Sequence, residues 1–205
     1  QNSLYSIPNP YVGNKRKILA DLGIAIFDTV EFESIHKVCD LFAGSSVVSA
    51  FFRMMGKQVN SNDLLASSYL NGVALLSGIE NGLSKEEWSF LTKNENKNKT
   101  TFVQDSYANI RFSDKECLFM DNYRANCKDL LGDPVNLDGS RNIQGKTKLI
   151  NAAIAYTSII HYIMLHCFVG GRLNNGQVIA SLKHRLEHER NQNMEIPFHK
   201  MKQFS

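Results

Sequence analysis

Aspartate, phenylalanine and glycine alternate at Asp40, Phe42 and Gly44 within the stretch Asp40-Leu41-Phe42-Ala43-Gly44-Ser45-Ser46. A short apolar run, Ile35 to Leu41, leads into it, and Val47 to Met55, with helical spacing of apolar residues, follows. That order predicts a buried strand, a turn and a helix. A glycine at such a turn lets a ligand come close to the backbone. The amides that open the next helix favour an anionic group. A carboxylate at the end of the following strand is placed to accept hydrogen bonds from a ribose diol. Gln58 to Asn62 is that second strand, and Asp63, 19 positions beyond Gly44, is the carboxylate. The dinucleotide fingerprint G-x-G-x-x-G is absent, so the turn suits a ligand with one nucleoside and a carboxylate rather than a pyrophosphate. The bland alternative is an ordinary strand-turn-helix with a solvated Asp63.

A second cluster is Asn9-Pro10-Tyr11-Val12-Gly13-Asn14-Lys15-Arg16-Lys17. It offers a flat ring, a flexible backbone point and a cation at the start of a helix. Basic residues at a helix start are otherwise merely solvated. His184 and His188, four apart in a charged helix, have the spacing to share a metal, but no third ligand accompanies them and they read as a solvated face. His161 and His166 read as core groups of an apolar helix, and Phe51-Phe52 with Met54-Met55 as ordinary core. The four cysteines, Cys39, Cys117, Cys127 and Cys167, make no C-x-x-C pair. That argues against zinc and for a reducing cytoplasm, with Cys39 and Cys167 as core thiols.

These groups need a frame. The chain has 205 residues, 43% of them hydrophobic, enough for a substantial core. The start carries no secretory signal, and its lack of Met suggests a trimmed terminus. Leu149 to Phe168 is the most apolar stretch, but Asn151, Thr157, Ser158, His161 and His166 interrupt it, so it reads as a buried helix rather than a membrane span. Lys15 to Val30 is an amphipathic helix, and Leu64 to Ile79 is a further helix after the second strand. Strand and helix alternate there as in a parallel sheet. From about residue 80 onward the pattern is helical. Ser84 with Glu87 and Ser113 with Glu116 form two capping boxes, the second opening a helix to about Leu130. Lys93 to Thr101 reads as a mobile Lys/Asn-rich loop, and Gly132 to Gly145 as an irregular connection. A long helix from Lys146 to Phe168 and a charged one from Gln177 to Arg190 complete the chain. The net charge of +3 permits nucleic-acid binding without demanding it. Lys93, Lys97, Lys99, Arg172, Lys183 and Arg185, in or beside loops, are the candidate DNA contacts.

Taken in order, Pro10-Tyr11-Val12-Gly13-Asn14-Lys15, Asp40-Leu41-Phe42-Ala43-Gly44-Ser45, and Asn62-Asp63 followed by Ser68-Tyr69 resemble the D12 class of DNA adenine methyltransferases, the group that includes the Dam enzymes. The match is specific over residues 8 to 75 and faint beyond. The resemblance implies an α/β fold: a partial Rossmann-like S-adenosylmethionine-dependent methyltransferase sheet in residues 1–80, then a mostly helical insert in residues 81–205 that recognises the target. It implies S-adenosylmethionine as cofactor, double-stranded DNA as partner, and a place in DNA modification such as restriction-modification. Tyr11, Gly13 and Lys15 would surround the methionine part, with Lys15 near its carboxylate. Asp40, Phe42 and Gly44 would form the cofactor loop, and Asp63 would hold the ribose hydroxyls. Ser46 departs from the pattern, standing where the family usually has a small residue such as glycine.

The family's catalytic D-P-P-Y segment, which receives a flipped adenine, has no counterpart. Asp133-Pro134-Val135-Asn136 is the nearest match. It lacks the second proline, the aromatic ring and a preceding hydrophobic strand, and reads as a surface turn. The chemistry is therefore expected from a complementary segment or subunit carrying D-P-P-Y, with this chain inactive alone and an apolar sheet edge or face exposed. The alternatives are a non-catalytic subunit that binds S-adenosylmethionine or DNA, and a different α/β enzyme that uses the same turn on a small molecule.

Overall fold

The computed structural model describes residues 15–29, 31–77, 82–136, 140, 142, 145–166 and 183. They belong to two compact units, one within Gln1–Glu80 and the other within Asn81–Phe204. The fold is mixed α/β, with a short two-stranded parallel sheet and otherwise helices.

The first unit opens on a 3-10 turn, Lys15–Ile18, that runs into helix α1, Leu19–Thr29. Strand β1 (Lys37–Asp40), helix α2 (Val47–Met54), strand β2 (Gln58–Ser61) and helix α3 (Ala66–Leu76) follow. β1 and β2 pair in parallel, with Val38 opposite Val59 and Asp40 opposite Ser61. Leu19, Val47 and Ala50 are buried together, with Val48, Phe51 and Leu75 packed against them. This is the amphipathic stripe of α1 meeting that of α2 and the far end of α3. Each such side chain contributes roughly 1.5–3 kcal/mol when fully buried.

The strands differ from the expected buried run. Val38, Asp40, Val59 and Ser61 are half-buried, whereas Lys37, Cys39, Gln58 and Asn60 are exposed. Side chains alternate between the faces of a strand, and α2 covers only the first set. Cys39 is therefore an exposed thiol rather than a core one. The uncovered face is polar. Most exposed apolar residues of this unit lie instead at the carboxyl ends of the strands and at the ends of the helices, with Ile24 exposed in the middle of α1. Met54 and Met55, read as core, are 60% and 38% exposed because α2 ends there. Phe52 is buried as expected. Its ring stacks with that of Phe32, which also lies 4.0 Å beneath the ammonium of Lys57.

The second unit contains helices α4 (Lys85–Leu91), α5 (Phe102–Tyr107), α6 (Asp114–Leu131) and α7 (Lys146–His166). Both expected capping boxes form: the hydroxyls of Ser84 and Ser113 accept from the amides of Glu87 and Glu116, whose carboxylates accept from the serine amides in return. Leu91, Phe119, Tyr123, Ile154 and Ala155 are almost wholly buried around α6. Helix α5 has no signal in the sequence. Its start is capped from elsewhere, by the buried carboxylate of Asp121 in α6, which accepts from the amides of Val103 and Gln104 at 3.0 Å each.

The Lys/Asn-rich loop is pinned rather than free. Asn96 donates to Asn126 and Asp129, Asn98 to Asp129, and Asn122 to Asn94. Asn126 in turn donates to the carbonyls of Leu91 and Lys93. The turn at Asp133-Pro134 is packed, not a free surface turn. Pro134 is buried, and Asp133 accepts from the Tyr156 hydroxyl at 3.3 Å and lies 3.8 Å from the Lys128 ammonium. The helix expected over Gln177 to Arg190, with His184 and His188, lies outside the described residues except for Lys183, which is helical and exposed. Cys167 also lies outside them. Among the described residues no helix is long and apolar enough to cross a membrane.

Candidate functional site

The carboxyl ends of β1 and β2 lie side by side, and their two aspartates are fixed differently. Asp40 Oδ2 accepts from the Ser49 hydroxyl at 2.7 Å, and Ser49 Oγ lies 3.2 Å from Ser61 Oγ. The fully buried Ser49 thus ties both strands to α2. Beyond β1 the chain turns through Gly44 and Ser46, both with left-handed backbone, φ 52° and 56°. Asp63 closes the turn from the other strand. Its Oδ2 accepts from the Gly44 amide at 2.7 Å and its Oδ1 from the Leu65 amide at 2.9 Å.

These bonds occupy the amides of the turn itself, ahead of the amides of Val47, Val48 and Ser49 that open α2. The amides of the turn do not all point at open space for an anion. Gly44 donates to Asp63, Ala43 to the Asn62 carbonyl and Ser46 to the Ala43 carbonyl. The Asp63 carboxylate, half-buried, has further lone pairs after accepting two amides.

Two large apolar side chains stand in solvent just past the two strands, Phe42 two residues beyond β1 and Leu64 next to Asp63. Phe42 is 84% exposed and Leu64 97% exposed, with Leu41 and Leu65 also exposed. In parallel α/β sheets, ligands sit beyond the carboxyl ends of the strands. A carboxylate at the end of β2, with exposed apolar side chains just past both strands, fits a nucleoside: hydroxyls for the carboxylate, and an aromatic base for the apolar groups. Leu64 is the first residue of the helix expected over Leu64 to Ile79, but α3 begins only at Ala66, which leaves Leu64 outside it.

Lys15, in the 3-10 turn, is exposed. Tyr11 and Gly13 lie outside the described residues. In the second unit, Lys93, Lys97 and Lys99 line a groove of about 540 Å³ floored by Phe90, Leu118 and the Asn122-Asn126 ridge of α6. None of the three lysines is ion-paired among the described residues. Arg172 and Arg185 lie outside them. Among the described residues no cluster of three or more His, Cys, Asp or Glu has the geometry of a metal site.

The thiols and phenols of α6 and α7 are buried in the core, except the Tyr156 phenol, which is half-buried. Burial pushes the Cys117 thiol up to about 12, helped by the neighbouring charges of Glu116, Asp121 and Asp114. Burial likewise raises Tyr123, Cys127 and Tyr156. A thiol held protonated is a poor nucleophile, so these are packing groups.

Residues 11–131 match the D12 class N6 adenine-specific DNA methyltransferases, covering more than half of the chain. The chain belongs to that family. A type II methyltransferase, M2.HphI of Haemophilus parahaemolyticus, is 28% identical over 116 residues, which make up 57% of this chain and 32% of that protein. The chain thus spans about a third of the length of this methyltransferase relative. No solved structure matches. Membership of the methyltransferase family covers both the β1–α2–β2 segment and the helices up to the end of α6.

Proposed function

We propose that this chain binds S-adenosylmethionine at the carboxyl ends of β1 and β2 and serves a DNA adenine methyltransferase. The observation that carries the reading is the Asp63 carboxylate, locked to Gly44 at the carboxyl ends of the strands, with Phe42 and Leu64 exposed just beyond them, in a chain of the D12 family. Asp63 would hold the ribose hydroxyls. Phe42 and Leu64 would cover the adenine ring and keep water from it. Asp40 and Gly44 would shape the loop, and Tyr11, Gly13 and Lys15 would hold the methionine part, with the Lys15 ammonium toward its carboxylate. Bound there, S-adenosylmethionine supplies a methyl group activated by its sulfonium.

In this reading residues 1–80 form the cofactor part, and residues 81–205 a mostly helical part that contacts double-stranded DNA. The groove lined by Lys93, Lys97 and Lys99 supports that contact, since three cations without ion pairs, outnumbering the carboxylates of Glu95 and Asp129 in the same lining, suit phosphates. Arg172, Lys183 and Arg185 would add to it. The acceptors that fix an adenine amine sit on D-P-P-Y in this family, and none of these 205 residues form that tetrapeptide. Asp133 does not replace it, because both its oxygens face partners within the fold. The reading therefore requires a D-P-P-Y segment from outside these residues, on the same or another chain.

Calorimetric titration with S-adenosylmethionine tests the first half, and transfer of labelled methyl groups to adenine-containing duplex DNA tests the second. The expected outcome is saturable binding, no turnover by the 205 residues alone, and turnover when a D-P-P-Y segment is supplied. Turnover by the purified chain alone would overturn the division of labour. Absence of binding would overturn the cofactor reading.

A further inference from the structure

Beneath the Gly44–Ser46 turn lies a knot of buried polar groups that ligand contacts do not explain. Asn71, in α3 and 2% exposed, donates its Nδ2 to the Ser45 carbonyl at 2.8 Å, while its own Oδ1 is buried without a partner. Ser46 beside it is fully buried, left-handed, and also has a hydroxyl without a partner. Helix α3 comes this close because residue 72 is a glycine. A Cβ there would sit 3.1 Å from Ser46 Oγ and 3.5 Å from Ser61 Oγ.

A buried acceptor without a donor carries a desolvation penalty, so an amide at position 71 is a poor choice for stability alone. Left-handed non-glycine residues and unsatisfied buried groups concentrate where function over-determines the backbone. The other ties on this turn run to β2 and the residues just after it, through Asn62 and Asp63. Asn71 adds a tie to the turn from α3.

We propose that Asn71 is a positioning residue for the cofactor: by holding the Ser45 carbonyl from α3 it sets the peptide planes of Gly44-Ser45-Ser46, and with them the place where Gly44 and Asp63 meet the ligand. The inference rests on the cofactor reading above and adds a residue that touches no ligand. It makes a specific demand on position 71, which must donate a hydrogen bond to a carbonyl.

The test uses the whole chain with S-adenosylhomocysteine as probe, titrated calorimetrically at pH 8 and pH 5.5, with ligand-free thermal melts at each pH. Asn71→Asp nearly preserves shape. At pH 8 its carboxylate has no proton to donate and repels the Ser45 oxygen; burial raises its pKa above the usual carboxylate range, so at pH 5.5 the neutral acid restores the donor. Affinity relative to wild type is expected to fall on the order of tenfold at pH 8 and to recover most of that loss at pH 5.5. Asn71→Ala, which has no donor at either pH, should lose a similar factor at both, and it decides the matter if the aspartate variant fails to fold at pH 8. A pH-independent loss in folded Asn71→Asp, or wild-type affinity in folded Asn71→Ala, would overturn the role of Asn71 while leaving the cofactor reading intact. A wild-type chain that does not bind the probe at either pH refutes the cofactor reading, and this inference with it.

Discussion

The Gly44 amide donates to the Asp63 carboxylate at 2.7 Å, so the glycine turn and the acidic residue of the next strand form one unit. Asp63 thus does two things at once: it holds the turn, and in the proposed function it meets the ribose. Asp63→Ala should weaken S-adenosylhomocysteine binding by about 1–3 kcal/mol. Asp63→Asn keeps an acceptor for one amide and should fall between. Calorimetry measures both, and an alanine variant of unchanged affinity would remove Asp63 from the site.

Ser46 pays a conformational cost that glycine would not. A non-glycine residue in the left-handed region costs roughly 1–2 kcal/mol, and the Ser46 hydroxyl gains no partner in return. Glycine loses about 0.5–1 kcal/mol of this through backbone entropy. Ser46→Gly is therefore expected to stabilise the ligand-free chain by up to about 1 kcal/mol, read as a higher urea midpoint. A lower midpoint would show that the hydroxyl or its volume is needed.

The cap on α5 is a tertiary one. Asp121→Ala strips the carboxylate from the amides of Val103 and Gln104, and hydrogen bonds to a charged group contribute about 1.5–3 kcal/mol. The variant should lose stability of that order. Hydrogen exchange should speed up at residues 103 and 104 more than in α7. Uniform acceleration across the second unit would mean that Asp121 supports the whole core instead.

If Lys93, Lys97 and Lys99 meet phosphates, affinity for duplex DNA should fall steeply with salt. The slope of log K against log salt changes by about 0.9 for each phosphate neutralised. Changing all three to glutamine should flatten the slope accordingly. The same slope in the variant would exclude the groove from the contact.

The buried thiols give a pH dependence with a definite sign. Cys117 has its pKa raised in the fold from an ordinary value of 9.0 to about 12, and burial raises Cys127 as well. The unfolded chain therefore releases these protons first as pH rises. Their contribution to stability is fully present below about pH 9 and is lost above it. Urea midpoints at pH 8 and pH 10 should show the drop, and equal midpoints would contradict it. In a Cys167→Ser background, an aromatic disulfide reagent should label the exposed Cys39 at once, and Cys117 and Cys127 only as the chain unfolds.

What could be read in advance was what local sequence encodes. Ser84-x-x-Glu87 and Ser113-x-x-Glu116 each carry their own cap, so both helix starts are legible within four residues. The strand-turn-strand order around Asp40 and Asp63 is legible from the apolar run Ile35 to Leu41, the Gly44 turn and the short segment Gln58 to Asn62 that ends at Asp63. Distant partners account for most of what was missed. The cap of α5 comes from Asp121, and the loop after α4 is held by Asn122, Asn126 and Asp129, some thirty residues on. Cys39 and Met54 were misread because an apolar neighbourhood does not say which faces a neighbouring element covers. The left-handed Ser46 and the reach of Asn71 to Ser45 lie in backbone geometry that residue types alone do not reveal.

The loop from Lys93 to Lys99 alternates strictly. The side chains of its even-numbered asparagines, 94, 96 and 98, bond to α6, while the charged side chains at 93, 95, 97 and 99 make no such bond, Lys93 meeting Asn126 only through its carbonyl. The segment therefore works as a comb with a two-residue pitch. Deleting one residue from its middle would put lysines where the helix expects amides, and the comb could not seat. Deleting two would shorten the row by one tooth and leave the rest in phase. Length here is constrained by parity, so natural or engineered changes should be tolerated in steps of two.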